Sequence, residues 1–271
     1  MSLDRLANCF ETCRNENRAA LVGYLTAGDP DPVVSAELLK TLAGHADIVE
    51  IGMPFSDPMA DGPVIQAASE RALAAGTTMD DVFRLATLVR KENPAAGIIL
   101  MGYGNVAYAI GYEIFSRQAA LAGVDGVLLV DIPPEESADV DKALAEHKLH
   151  SIRLIAPTSS DARRALAAQS AGGFIYYVSL TGITGAKMGE MEGISTQVTR
   201  LREQSSLPIC VGFGIKTPEQ AAKVAAFADG VVVGSQFVSQ ISEHLSDKCA
   251  MIEAMEGIAG KMRAAMPRRC K

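Results

Sequence analysis

The sequence predicts an α/β fold, a single (β/α)8 TIM barrel with an extra N-terminal helix, on three observations. Eight short and almost wholly apolar runs recur along the 271 residues, as expected of strands covered on both faces. Stretches with helical periodicity alternate with them, which implies parallel strands joined by right-handed crossovers. With 48% hydrophobic and 21% charged residues, and no low-complexity segment or linker, the whole of 1–271 suits one domain with a large core. A doubly wound open sheet is the alternative.

Each element has a local reason. Residues 3–15 place Leu3, Leu6, Ala7 and Phe10 on one helical face. The barrel then occupies about 19–265. Its first strand, 19–25, ends in Thr26-Ala27-Gly28-Asp29-Pro30, and Asp31-Pro32 opens a helix through Val34, Leu38, Leu39 and Leu42. Strands are expected at 47–51, 98–101, 126–130, 151–155, 174–178, 208–211 and 230–233. Helical patterns fill 64–75, 79–92, 111–121, 135–147, 160–170, 190–204, 216–227, 235–243 and 248–265.

The second strand carries the most informative stretch. Glu50 stands in an otherwise apolar run, and alternation puts it on one face with Ile48 and Gly52. A loop with three prolines follows, carrying Asp57 and Asp61, and Pro63 suits the first turn of a helix. An acid buried in an apolar strand needs a partner or a function. Glu50 could pair with a buried Arg or Lys while Asp57 and Asp61 cap turns. Alternatively, two carboxylates in different surroundings could divide acid and base work.

In a barrel, functional groups gather at the strand C-terminal ends. There the sequence offers Tyr24, Glu50, Asp61, Tyr103, Asp131 and Tyr176, and then the glycine-rich loop 179–186. Strands seven and eight end in Gly212-Phe213-Gly214 and Gly234-Ser235, each leading into a helix. Glycine lets backbone N–H groups approach an anion, and a helix N-terminus adds unpaired donors. Together with Gly185 these pairs predict a phosphate site, although glycines also relieve crowding in tight turns.

Other chemistries lose ground. No strand carries the lysine of a Schiff-base aldolase, and the four histidines, His45, His147, His150 and His244, have no metal-like spacing and read as surface or helix-end residues. Neither glycine loop has the full dinucleotide spacing. A net charge of −7, with basic residues bunched just in the tail 263–271, argues against a nucleic-acid face. The N-terminus has no apolar signal-peptide core, and five scattered cysteines suggest reduced thiols in the cytoplasm. What remains is metal-free proton transfer on a substrate with its own electron sink.

The stretch Glu50-Ile51-Gly52-Met53-Pro54-Phe55-Ser56-Asp57-Pro58-Met59-Ala60-Asp61-Gly62-Pro63 closely resembles the signature of the tryptophan synthase alpha chain family. The likeness extends to Leu25–Pro30, Leu100–Tyr103 with Asn105, Asp131-Ile132-Pro133, Thr181–Ala186 and Gly212–Ile215. It implies a lyase that splits indole-3-glycerol phosphate into indole and glyceraldehyde 3-phosphate. By the resemblance Glu50 moves the protons, Asp61 holds the indole N–H, and Tyr176 steers Glu50. Tyr24, Tyr103, Thr184 and Phe213 would line the substrate pocket, and Gly185, Gly214, Gly234 and Ser235 would hold the phosphate. Pro54 and Asp57 belong to a loop that, with 180–190, would close the site and signal to a partner. That partner would be a pyridoxal-phosphate-dependent beta chain in an α2β2 heterotetramer, with no cofactor in this chain. Leu180 and the stretch 187–192 depart from the family pattern. A stand-alone lyase releasing indole, and a non-catalytic phosphate-binding barrel, are the rival readings.

Overall fold

A computed structural model describes residues 4–178, 188–212 and 214–267. The chain opens with α1 (Arg5–Asn15), β1 (Ala20–Thr26), α2 (Pro32–Ala43) and β2 (Ile48–Gly52). Next come α3 (Pro63–Ala74), α4 (Met79–Glu92), β3 (Gly97–Gly102), α5 (Gly104–Ile110), α6 (Tyr112–Leu121) and β4 (Gly126–Leu129). A 3-10 turn (Pro134–Glu136) precedes α7 (Ala138–Glu146), β5 (His150–Ser151), β6 (Arg153–Ile155) and α8 (Asp161–Ser170). The last third holds β7 (Ile175–Val178), α9 (Met188–Gln204), β8 (Ile209–Gly212), α10 (Pro218–Ala225), β9 (Gly230–Val233), α11 (Ser235–Glu243) and α12 (Lys248–Ala264).

All strand pairs are parallel, in the order β5-β4-β3-β2-β1-β9-β8-β7-β6. The two ends of that order, β5 and β6, are one polypeptide run broken at Ile152. They are the fifth strand of a nearly closed (β/α)8 barrel. One half of that strand bonds to β4 and the other to β7. The run reads as one strand because nothing in its composition marks the break. Likewise, α5 lies in a glycine-bearing stretch where the periodicity predicts no helix.

Side-chain alternation sorts the core into two. Ile48, Val22, Ile99, Leu128, Phe174 and Tyr176 fill the barrel interior. Val49, Ile51, Ile98, Leu100 and Val211 face outward and pack under the helices. Helix α1 closes the bottom of the barrel. Its Leu6, Cys9, Phe10 and Cys13 recur at helical spacing and join the interior cluster, with the Phe10 ring 5.8 Å from Phe174.

Three acids stand just before strands at that same end and act alike. Asp47 accepts the Leu21 N–H at 2.9 Å, Asp125 that of Ile98 at 2.8 Å, and Asp229 that of Ile209 at 3.1 Å. Each also meets arginine: Arg18 and Arg263 at Asp47, Arg90 and Arg5 at Asp125, Arg202 at Asp229. These clamps tie neighbouring strands at their N-terminal ends and leave the opposite rim to the loops. His150 sits in β5 rather than at a helix end, with Nε2 3.2 Å from Asp4.

Candidate active site

At the C-terminal rim a cavity of about 410 Å3 is lined by Tyr24, Glu50, Asp61, Tyr176, Gly214, Gly234 and Ser235. Its walls are apolar: Ile65, Met101, Val130, Leu154, Val178 and Val232. A chamber that is mostly apolar with a few convergent polar groups is the usual form of a small-molecule site.

Glu50 reaches the chamber because β2 alternates as expected, sharing the interior face with Ile48. It is 1% exposed, and neither carboxylate oxygen has a hydrogen-bond partner among the described residues. Among the described residues no arginine or lysine forms an ion pair with it. Burial, and then the charge of Asp61, push its pKa up to about 8. At neutral pH this group therefore holds a proton.

Asp61 comes from the proline-rich loop and is half-buried. Burial raises its pKa, but an accepted hydrogen bond from Tyr103 pulls the other way. The Tyr103 hydroxyl donates to Asp61 Oδ2 at 2.9 Å and accepts the Ala60 N–H at 3.0 Å. Gln66 Nε2 also donates to the Asp61 carbonyl at 2.8 Å. Since Asp61 has a donor and Glu50 has none, Asp61 ionises first. The chamber thus pairs two acids in different surroundings, one hydrogen-bonded and half-buried and the other buried without a partner among the described residues.

The two tyrosines of the chamber are seated on glycines. A Cβ on Gly52 would lie 2.2 Å from the Tyr24 hydroxyl, and one on Gly212 would lie 2.7 Å from the Tyr176 hydroxyl. Tyr24 also shares a hydrogen bond of 3.2 Å with Thr26 Oγ1. Tyr176 makes no hydrogen bond to Glu50 in this structure. Tyr103 touches the chamber through Asp61 and stacks at 5.2 Å on Phe55.

The glycines at the ends of β8 and β9 differ. Gly214 holds φ +77°, a conformation that favours glycine, and lines the chamber, as do Gly234 and Ser235. The N-terminus of α10 is closed by its own capping box of Thr217 and Gln220, whereas α11, starting at Ser235, has no side-chain cap. Among the described residues, the first turn of α11 at the β9 end therefore has no side-chain acceptor, which suits an anion there. Lys216 is exposed, and its N–H is taken by Gln220 at 2.7 Å. Pro54 is buried, while Asp57 is exposed and accepts from Ser56 Oγ at 2.5 Å. Thr184, Gly185 and Phe213, and the loop of Leu180, lie outside the described residues.

Among the described residues no group of three or more His, Cys, Asp and Glu could hold a metal, and no helix is long and apolar enough to cross a membrane.

Residues 10–267 match the family model described as "Tryptophan synthase alpha chain". The chain is 46% identical over 265 residues to the tryptophan synthase alpha chain of Zymomonas mobilis, covering 97% of each. Against the Geobacter sulfurreducens protein of that name it is 51% identical over 237 residues, covering 87% of this chain and 89% of the relative. The crystal structure of tryptophan synthase subunit alpha from Legionella pneumophila superposes with a TM-score of 0.90 at 42% identity, over 97% of this chain and 98% of that one.

Proposed function

The chain belongs to the tryptophan synthase alpha chain family, and on that premise we propose that its chamber cleaves indole-3-glycerol phosphate to indole and glyceraldehyde 3-phosphate. It is a lyase serving tryptophan biosynthesis as the alpha subunit. The observation that carries the proposed chemistry is Glu50: a buried, unpartnered acid, neutral at pH 7, in one chamber with Asp61 and an uncapped helix end.

The steps follow from these groups. Neutral Glu50 gives its proton to C3 of the indole ring, which becomes a cation with its positive charge at N–H. Charged Asp61 accepts a hydrogen bond from that N–H and stabilises the charge as it forms. Glu50, now a carboxylate, takes the proton of the hydroxyl on the glycerol carbon bonded to C3. The C3–C bond breaks, its electron pair restores the indole ring, and the glycerol carbon becomes the aldehyde of glyceraldehyde 3-phosphate. Glu50 ends protonated, as it began. The backbone at Gly214, Gly234 and Ser235 holds the phosphate, with Gly185 contributed by loop six, while Thr184 of that loop lines the substrate pocket. Tyr24, Tyr103 and Phe213 shape the pocket, and Tyr176 limits where the Glu50 carboxyl can swing. This chemistry asks for no cofactor in the chain.

The family implies a beta-chain partner. We assign the finer picture, an α2β2 heterotetramer with pyridoxal phosphate in the beta chain, to the same reading, and take 1–271 as one domain. Exposed Asp57 and Met59, the latter 85% exposed, are supporting features of a docking loop. Assaying Glu50→Gln tests the chemistry: indole release falls at least about 1,000-fold with folding retained. Unchanged turnover overturns it.

A further inference from the structure

A second cavity, of about 340 Å3, adjoins the chamber and shares Val130, Leu154 and Ala156 with it. Its remaining lining includes Asp131, Pro133, Ser159 and Arg163. The shared wall lies where the barrel is seamed. Strand β4 bonds to β5 through Gly126↔His150 and Val127↔Ser151, while β6 bonds to β7. Among the described residues, the Ile152 N–H to Val127 O bond, at 2.9 Å, is the last across that seam toward the rim. Beyond it, among the described residues, no ladder pairing joins the two strands, and Val130 and Leu154 line both spaces. Bonded strands stand about 4.8 Å apart and leave no passage; here side chains alone divide the two spaces. Both are half-buried, in a barrel whose interior positions are mostly fully buried.

The ring order says what meets this wall. Counting the split strand once, β4 lies opposite β9 in the eight-membered barrel. With the phosphate at the β8 and β9 ends, the aromatic end of the substrate points toward β3, β4 and β6. Glu50 and Asp61 occupy its pyrrole edge, so its benzo edge meets Met101, Val130 and Leu154.

Resting on the proposed function, we propose that Leu154 and Val130 set the size limit for the aromatic ring, and that the cavity behind them accepts a substituent on its benzo edge. The ligand class is an indole glycerol phosphate with an apolar ring substituent of a few heavy atoms.

The test compares kcat/KM for the unsubstituted substrate with that for methyl- and bromo-substituted ones, in wild type, Leu154→Ala, Val130→Ala and Val232→Ala. A hydrophobic group of this size is worth about 10- to 200-fold in discrimination. Leu154→Ala therefore raises the substituted-to-unsubstituted ratio about tenfold or more for at least one ring position. Val130→Ala moves it the same way. Val232→Ala lines the same chamber but not the second cavity, and leaves the ratio unchanged. Calorimetric binding of indole and its substituted homologues reads the same ratio without turnover, and thermal melts identify any variant that fails to fold. If folded Leu154→Ala and Val130→Ala leave both ratios unchanged, or Val232→Ala shifts them equally, the inference falls. If wild type cleaves no substrate at all, the functional reading falls instead, and the binding ratios alone decide the inference.

Discussion

The Tyr103 hydroxyl, at the end of β3, bridges the carboxylate of Asp61 at 2.9 Å and the N–H of Ala60 at 3.0 Å. One side chain thus fixes both the charge and the backbone of the loop that carries it. The donated bond favours the ionised form of Asp61 against the opposing effect of burial. Tyr103→Phe removes it, so the Asp61 pKa rises. In a pH profile of kcat/KM the acid limb then moves to higher pH, while the alkaline limb near 8, assigned to Glu50, stays. A hydrogen bond to a charged group is worth about 1.5–3 kcal/mol, so kcat/KM at neutral pH falls roughly tenfold or more. An acid limb that does not move contradicts this role for Tyr103.

Glu50 weakens the fold in a pH-dependent way. Its folded pKa of about 8 stands above the ordinary value of 4.5, so between those values the folded state binds the proton more tightly than the unfolded state. Stability contributed by the neutral group is present below about pH 4.5 and declines as pH rises toward 8. At pH 7 the loss is on the order of 3 kcal/mol. Glu50→Gln removes it. Chemical denaturation across pH 4 to 8.5 should show the variant equal to wild type at the acid end and more stable at the alkaline end. A variant less stable at pH 8 would refute the assignment.

The face that Glu50 occupies was legible from strand alternation, because β2 has period two and its neighbours Val49 and Ile51 are apolar. The pattern of α1 was legible from its helical period, and the strand order from the alternation of strands with helices. Three features were not. The break at Ile152 depends on which neighbours each half meets, and no Gly or Pro in the run His150–Ile155 marks it. The Tyr103–Asp61 bond joins loops 42 residues apart, with no local pattern to mark it. Gly212 read as part of a phosphate loop, yet a Cβ there would collide with Tyr176 and would lie 2.8 Å from Val232 Cβ. A sequence signal did exist for the strand clamps: Asp47, Asp125 and Asp229 each directly precede a strand, or stand one residue before its first apolar position.

The glycine seats give the third expectation. Gly52→Ala puts a methyl 2.2 Å from the Tyr24 hydroxyl, closer than any contact allows, so the ring must move into the chamber. Gly212→Ala does the same to Tyr176 from the other side. Neither glycine has positive φ, so backbone strain is not the cause of any loss. Overpacking of this kind costs about 1–3 kcal/mol in stability. Measured with substrate, each variant should raise KM about tenfold, and Gly52→Ala combined with Tyr24→Phe should recover part of that loss by removing the clashing oxygen. No recovery would show that the glycine matters for another reason.

The clamp at Asp47 gives the last. Arg18 meets it with two bonds of 2.6 and 2.7 Å, Arg263 adds one at 3.1 Å, and the Leu21 N–H one at 2.9 Å. Burial alone would raise its pKa, but these donors hold it below the usual carboxylate range. A depressed folded pKa means that the stabilisation is present above the unfolded value, near 4, and is lost as pH falls through the folded one. Asp47→Asn keeps the shape and an acceptor for Leu21 but takes from Arg18, 11% exposed, its bidentate partner and leaves it the more exposed Glu16 at 2.6 Å as counter-charge. With Glu16 still paired, this costs at most about 3 kcal/mol, the figure for a buried charge left unpaired. Denaturant titrations should show that deficit at pH 7, narrowing steadily below pH 4. Asp47 lies at the opposite end of the barrel from the chamber, so kcat for the folded variant should remain within about twofold of wild type. A deficit independent of pH would mean that packing, and not charge, holds β1 to β2 at this end.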